Sequence, residues 1–355
     1  MKKEDILSKL KQVIYPNFKR DIVDFGFVKD IDLSGDSIKI ALEIPSNSKE
    51  VADKIRENIT NLFTQNVEIT IKTPQIPQES KGRKNIAPNI KHFVMISSGK
   101  GGVGKSTTSV NLAIALAQQG KSVGLLDADI YGPNIPRMLG VNNQRPNIDE
   151  IAKKIIPINA LGIKVMSMGM MAEDGQSLIW RGPMIMRAIE QMLSDVVWGE
   201  LDILIIDMPP GTGDAQLTLA QSVPVSAGIT VTTPQIVALD DSARSLDMFN
   251  KLNIPIAGII ENMSGFVCPN CKETYDIFGK GGGVNIANVH KCDILAEIPI
   301  EPDIRESGDN GKPITFFKPD SISAKEYLKA ASKLVDFLNH IGDSADNSQI
   351  QPVKS

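Results

Sequence analysis

Polar and apolar positions follow two different periods along this chain. Ile6, Leu10 and Val13 recur at helical spacing, and Ile22 to Gly26 leads towards a strand. Residues 37–44 (SIKIALEI) alternate as a half-buried strand does. Val51, Ile55, Ile59, Leu62 and Phe63 mark one face of a helix, and residues 67–72 (VEITIK) alternate again. This helix–strand–strand–helix–strand order predicts a small α+β domain over residues 1–72. Residues 73–90 (TPQIPQESKGRKNIAPNI) carry three prolines, a basic run and no apolar period, which reads as a partly extended linker.

Over residues 91–341 the pattern becomes α/β. Continuous apolar runs, HFVMIS (92–97), SVGLLD (122–127), ILIID (203–207), AGITVT (227–232) and IAGIIEN (256–262), alternate with helical stretches. Runs without polar alternation belong to strands buried on both faces, so a mostly parallel sheet flanked by helices is expected. Tyr327, Leu328, Ala331, Leu334, Val335 and Leu338 share one face of a helix. Its polar face mixes Lys with Asp and Glu, so the helix closes the core and does not lie on a membrane. From Gly342 the chain is polar, and residues 342–355 read as a disordered tail.

Composition narrows the function. Hydrophobic residues make up 42% of the 355, enough for a sizeable core. The 38 Lys and Arg against 42 Asp and Glu leave a net charge of −4, which argues against nucleic acid as a partner. No apolar run approaches the roughly 20 residues that span a bilayer, so no membrane partner is expected either. Three cysteines make no disulfide framework, and no signal peptide opens the chain at MKKEDILSKL. The expected location is the cytoplasm.

The chemistry concentrates in a phosphate-binding loop. Gly99, Lys100, Gly101, Gly102, Val103, Gly104, Lys105 and Ser106 satisfy G-x-x-x-x-G-K-[ST] between an apolar strand and a helix. The glycines let backbone N–H groups close around phosphate, and the helix N-terminus adds partial positive charge. Lys105 is expected on the β- and γ-phosphates of ATP, Ser106 on Mg²⁺, and Thr107 near the α-phosphate. Two later strands end in carboxylates where α/β sites lie, at Asp127–Asp129 and at Asp207. Asp207 is the expected second Mg²⁺ residue. It runs into PPGTGD (209–214), a stiff turn followed by a hinge, so the Gly211 N–H can move with the γ-phosphate. Asn262 ends another strand, where its amide can either pair with a base or cap a turn.

Cys268 and Cys271 stand at C-x₂-C spacing on a loop after a strand. That spacing gives half of a four-thiolate site, for zinc or for an iron–sulfur cluster alike, and a two-fold-related chain would complete it. A redox pair is disfavoured by the loop position, and Cys292 reads as a core residue.

The loop SGKGGVGKST (98–107) resembles that of the deviant Walker A ATPases. The resemblance implies that Lys100 reaches across a dimer to the partner's nucleotide, that Asp129 orients the attacking water, and that Asn262 reads the base. With LLDADIYGPNIP, WRGP (180–183), LDILIIDMPPGTGD, TTPQ, ENMSGFVCPNC and IFGKGGG in order, residues 92–339 resemble the Mrp/ApbC family of iron–sulfur cluster carriers. That likeness implies a slow, homodimeric ATPase that holds a [4Fe–4S] cluster through Cys268 and Cys271 of both chains. An upstream scaffold would be the donor and apo iron–sulfur proteins the recipients. Residues 1–72 are similar to the small MIP-type domain often fused in front. They depart from it at Tyr15, where Asp is usual, and at 44–50 (IPSNSKE), which lack the usual cysteine. Two other readings share these motifs: a MinD/ParA-like positioning ATPase, and a dimer bridged structurally by zinc.

Overall fold

A computed structural model describes residues 3–16, 21–24, 27–33, 38–44, 49–63, 67–72, 85–130, 132–149, 154–170, 182–268, 270–271 and 273–346. The chain divides into two units, Met1–Gly82 with Asn339–Ser355, and Arg83–Leu338.

The small unit follows the predicted order: α1 (Lys3–Leu10), β1 (Val28–Asp32), β2 (Ile38–Glu43), α2 (Lys49–Thr60) and β3 (Val67–Lys72). β2 pairs antiparallel with β1 and parallel with β3. Ile6, Leu10, Ile40, Leu42, Ile55 and Ile59 form its core, so the periodic positions of both helices face the sheet. Tyr15 is buried there, its ring 5.2 Å from that of Phe27 in an edge-on contact. The departure at this position therefore puts an aromatic in the core, where a carboxylate would be costly to bury.

The large unit runs β4 (Ile90–Ser97), α3 (Lys105–Gln118), β5 (Val123–Asp127), α4 (Ile135–Met138), β6 (Asn147–Asp149), β7 (Lys154–Ile156), β8 (Ile158–Ala160), β9 (Ile163–Ser167), α5 (Gly182–Ser194), β10 (Leu201–Asp207) and α6 (Asp214–Ser222). It continues through β11 (Val225–Thr232), α7 (Ile236–Lys251), β12 (Ile256–Val267), β13 (Thr274–Tyr275), α8 (Gly282–His290), β14 (Ile294–Ile300), α9 (Pro302–Asp309), α10 (Ile314–Phe317) and α11 (Ile322–Asp346), of which residues 322–338 belong to this unit. Among the described residues the main sheet has the order β13-β12-β11-β4-β10-β5-β9-β8, with β14 also paired to β12. All these pairings are parallel except β12–β13 and β8–β9.

The apolar runs explain this architecture. Along β4, Val94 and Ile96 face one core while Phe93 and Met95 face another, and β10 repeats the division with Ile203 and Ile205 against Leu204 and Ile206. A strand buried on both faces needs no polar alternation. The first core also takes α3 and α11, through Leu116, Tyr327 and Leu334; the second takes α5, α6 and α7, through Ile189, Leu219 and Phe249.

Two expected boundaries shift. Within the stretch read as linker, residues 85–90 already pack on the large unit: Ala87 and Ile90 join its second core, and the Ile86 N–H donates to the Ser222 carbonyl at 3.3 Å. The apolar residues of NIAPNI account for this, whereas residues 73–84 lie outside the described ones. At the other end α11 runs on to Asp346, so the tail expected from Gly342 is helical for its first turn. Extending an anchored helix adds hydrogen bonds with no new nucleation cost. Residues 347–355 lie outside the described ones.

Candidate functional site

β4 lies between β10 and β11, so the chain leaves its C-terminal end at the crevice where strand order reverses. There residues 98–104 turn into α3. Gly104 has φ +86, and a Cβ on it would lie 2.1 Å from the Asn262 Nδ2, so both backbone and neighbour demand glycine. Val103 is buried beneath the loop, Gly101 and Gly102 are exposed, and Gly99 and Lys100 are half-buried. The Ser98 hydroxyl donates to the Lys100 carbonyl at 3.0 Å.

Parallel register brings the carboxylates to the same edge. Asp207 ends β10 and sits beside Asp127 at the end of β5. Asp207 is fully buried and accepts three hydrogen bonds: Lys105 Nζ at 2.7 Å, Ser106 Oγ at 2.6 Å and Ser109 Oγ at 2.6 Å. Lys105 is 6% exposed, so this is a buried ion pair, and removing one partner costs roughly 3–5 kcal/mol where the remaining charge stays uncompensated. The Lys105 ammonium also lies 3.8 Å from Asp129, whose Oδ1 accepts the Gly132 N–H at 3.3 Å. Ser106 and Asp207 thus present hard oxygens at one point, a donor set suited to Mg²⁺.

Asp127 is also fully buried. Its carboxyl accepts Ser167 Oγ at 2.8 Å and the Asp129 N–H at 3.2 Å. Burial, and next the nearby Asp207 charge, push its pKa up to about 8, which favours the protonated form well above the ordinary carboxylate range. Through the bond from the Asp129 N–H, Asp127 holds the Asp129 backbone. The PPGTGD turn folds back on the loop: the Gly211 N–H donates to the Ser98 carbonyl at 2.8 Å, and Gln216 Nε2 donates to the Pro209 and Gly211 carbonyls at 3.0 and 2.9 Å.

Beside the phosphate loop opens a cavity of about 540 Å³, lined by Thr107, Met138, Asn262, Phe278, Ile304 and Arg305 among others. Apolar walls with a few polar groups suit a nucleoside. Asn262 is buried in this wall, with its Nδ2 donating to the Val103 carbonyl at 2.9 Å. Thr107 Oγ1 is 4.0 Å from Met138 Sδ.

The cysteine pair tips a β-hairpin. β12 and β13 pair through Phe266–Tyr275 and Val267–Thr274, and the Cys268 N–H donates to the Glu273 carbonyl at 2.9 Å. Cys268 is half-buried and Cys271 exposed. Among the described residues no three His, Cys, Asp or Glu side chains gather as a metal site. Cys292 packs against Leu246, Ile259 and Ala287, where burial raises its thiol pKa. Trp180 and Arg181 of WRGP lie outside the described residues.

Sequence reading missed Ser109 and Ser167. Ser109 stands one helical turn after Lys105, a spacing that places it on the same helix face. Nothing local marks Ser167, which β5–β9 pairing brings to Asp127.

The loop, the strand-end carboxylates and the PPGTGD turn on a mostly parallel sheet define a P-loop nucleoside triphosphatase fold. A family model described as NUBPL iron-transfer P-loop NTPase matches residues 89–335, and one described as iron–sulfur cluster assembly protein matches residues 3–71. The chain belongs to this NUBPL/Mrp family of P-loop NTPases. It is 57% identical to the iron–sulfur cluster carrier protein of Helicobacter pylori, over 99% of this chain and 98% of that one. It is 40% identical to the carrier protein of Aquifex aeolicus, over 93% and 97%. Among solved structures, a nucleotide-binding protein of Archaeoglobus fulgidus in complex with ADP shares 36% identity and a TM-score of 0.56, over 65% of this chain and 92% of that one. The Pyrococcus furiosus cell division ATPase MinD matches at 25% identity and TM-score 0.54, over 69% and 98%. No helix among the described residues is long and apolar enough to cross a membrane.

Proposed function

We propose that this protein is an ATP-hydrolysing carrier that holds one [4Fe–4S] cluster between two copies of the chain and passes it to apo-proteins. The observation that carries the reading is the hairpin: two cysteines presented at its solvent-facing tip, in a chain whose relatives are named iron–sulfur cluster carriers. Two thiolates per chain form half a site, and a two-fold axis supplies the other half. A cluster at an exposed hairpin tip is open to attack by acceptor thiolates, which favours transfer over storage.

The nucleotide site supplies the drive. Lys105 exchanges Asp207 for the β- and γ-phosphate oxygens, while Ser106 and Asp207 are the residues that would hold Mg²⁺. The metal, when bound, neutralises charge on the β- and γ-phosphates. Asp129 orients a water in line with the bond to the leaving β-phosphate oxygen. The water adds to the γ-phosphorus, that bond breaks, and ADP and inorganic phosphate leave. Lys100 of a second copy adds positive charge to the same phosphates, and Asn262 and Thr107 face the nucleoside and α-phosphate. Loss of the γ-phosphate frees the Gly211 turn, which gives hydrolysis a conformational readout.

Anaerobic reconstitution with iron and sulfide tests the reading, with iron, sulfide and zinc quantified per dimer. About four iron and four sulfide are expected, with both lost in Cys268→Ser. One zinc without sulfide would establish the zinc-bridged dimer instead. Full cluster absorbance in Cys268→Ser would end the carrier reading. ATP-dependent sedimentation with vesicles or DNA would favour a positioning ATPase.

A further inference from the structure

Consecutive residues of β12 grip the two halves of the site. Asn262 donates to the Val103 carbonyl in the phosphate loop at 2.9 Å. Glu261, 1% exposed, faces the other way. Its Oε1 accepts Ser264 Oγ at 2.7 Å, and its Oε2 accepts the Gly283 N–H at 2.6 Å. Ser264 lies before Cys268 on the outgoing strand, and Gly283 lies beyond Cys271 in the first turn of α8. One carboxylate therefore ties both ends of the segment 264–283 that carries the cysteine pair.

The joint departs from regular strand geometry. Pairing of β12 with β14 is regular at Glu261 and Asn262, then shifts register before Phe266. Met263 sits at φ +59, an unfavourable conformation for a residue with a Cβ. A Cβ at Gly283 would stand 2.6 Å from Glu261 Oε2, so the helix start approaches the carboxylate more closely than a side chain allows. Burying a carboxylate is costly, and the N-terminal end of α8 offsets part of that cost. A neutral residue would close a core at this position without such a penalty.

We propose that Glu261 is a positioning residue that transmits nucleotide occupancy at the phosphate loop to the Cys268–Cys271 hairpin. Phosphate bound in the loop fixes the Val103–Gly104 backbone, hence Asn262, hence the neighbouring Glu261 and the two ends it holds. The proposal rests on the carrier reading for its purpose, but its test needs no cluster.

The experiment uses full-length, cluster-free protein, with the alkylation rates of Cys268, Cys271 and Cys292 followed by iodoacetamide labelling and peptide mass spectrometry. Binding of a fluorescent ATP analogue is measured in parallel. In the wild type, ATP with Mg²⁺ should change the Cys271 rate by about fivefold or more, with Cys292 as internal reference. Glu261→Gln should still bind the analogue, with an affinity within about fivefold of wild type, and lose that response. Ser264→Ala removes one of the two ties and should reduce it, which keeps the test available should Glu261→Gln fail to fold. A wild type that binds ATP with unresponsive cysteines, or a Glu261→Gln protein with the full response, overturns the proposal. A wild type that binds no ATP would instead overturn the nucleotide-driven reading.

Discussion

Ser109 donates its hydroxyl to Asp207 at 2.6 Å, on the carboxylate oxygen opposite the one that takes Lys105 and Ser106. The second oxygen of the carboxylate proposed to hold Mg²⁺ is thereby fixed from one helical turn further along α3. A partner behind a metal-holding group sets its orientation, and losing such partners typically costs 10–100-fold in affinity or activity. Ser109→Ala should raise the Mg²⁺ concentration for half-maximal ATPase by about tenfold, with little change in ATP affinity measured without metal. An unchanged Mg²⁺ titration would show that Lys105 and Ser106 orient Asp207 unaided.

Asp127 sets a pH dependence of stability. Its folded pKa of about 8 lies above the ordinary carboxylate value of 3.8. Between those limits the folded protein holds a proton that the unfolded chain releases, so this contribution is complete below about pH 4 and lost as pH rises towards 8. Asp127→Asn removes the titrating group, keeps an oxygen for the Asp129 N–H, and turns an amide N–H towards the Ser167 hydroxyl, which can accept it. From pH 5 to pH 8.5 the thermal midpoint of the wild type should fall more steeply than that of the variant, in buffer without nucleotide. Parallel curves would place the proton elsewhere.

These two residues mark where the sequence was legible and where it was not. Lys105, Ser106 and Asp207 stand in contiguous motifs whose chemistry follows from spacing and from strand ends. The parallel sheet was readable because β4 and β10 carry apolar residues on both faces. Ser167 is 40 positions from Asp127, and only the register of β5 with β9 joins them, which no local pattern encodes. Asn262 was read towards a base, and its amide does line the cavity; its grip on Val103 is a tertiary contact 159 positions away. The Cys268–Glu273 closure came from neither spacing nor motif, since the two-residue β13 is too short to show a period.

Lys105 separates the two halves of the proposed activity. Its ammonium pairs with Asp207 and is proposed to serve the phosphates, while the cysteines stand on a different element. Lys105→Ala should lower ATPase activity by at least about 100-fold and abolish cluster delivery, with the iron content after reconstitution largely intact. Iron lost together with ATPase would show that nucleotide governs assembly of the cysteine site. Thermal unfolding must accompany the measurement, because the variant leaves the buried Asp207 with only its two serine partners.

Lys100 offers a test of whether the site is shared between chains. If it acts on the partner's nucleotide, neither Lys100→Ala nor Lys105→Ala alone builds a working site. A mixed dimer builds one: the chain with intact Lys105 receives Lys100 from its Lys105→Ala partner. The reciprocal site lacks both lysines. With random exchange, half the dimers are mixed and each has one working site of two, so an equal mixture should recover about one quarter of wild-type ATPase activity. Acting within its own chain, Lys100 would leave every site in the mixture short of one lysine, with no recovery at any ratio. Subunit exchange confirmed by mass spectrometry, followed by the ATPase assay, decides between the two. The outcome bears on the cluster as well, because the same two-fold axis must bring two CPNC hairpins together. A shared nucleotide site would make ATP a means of holding those four thiolates in one place.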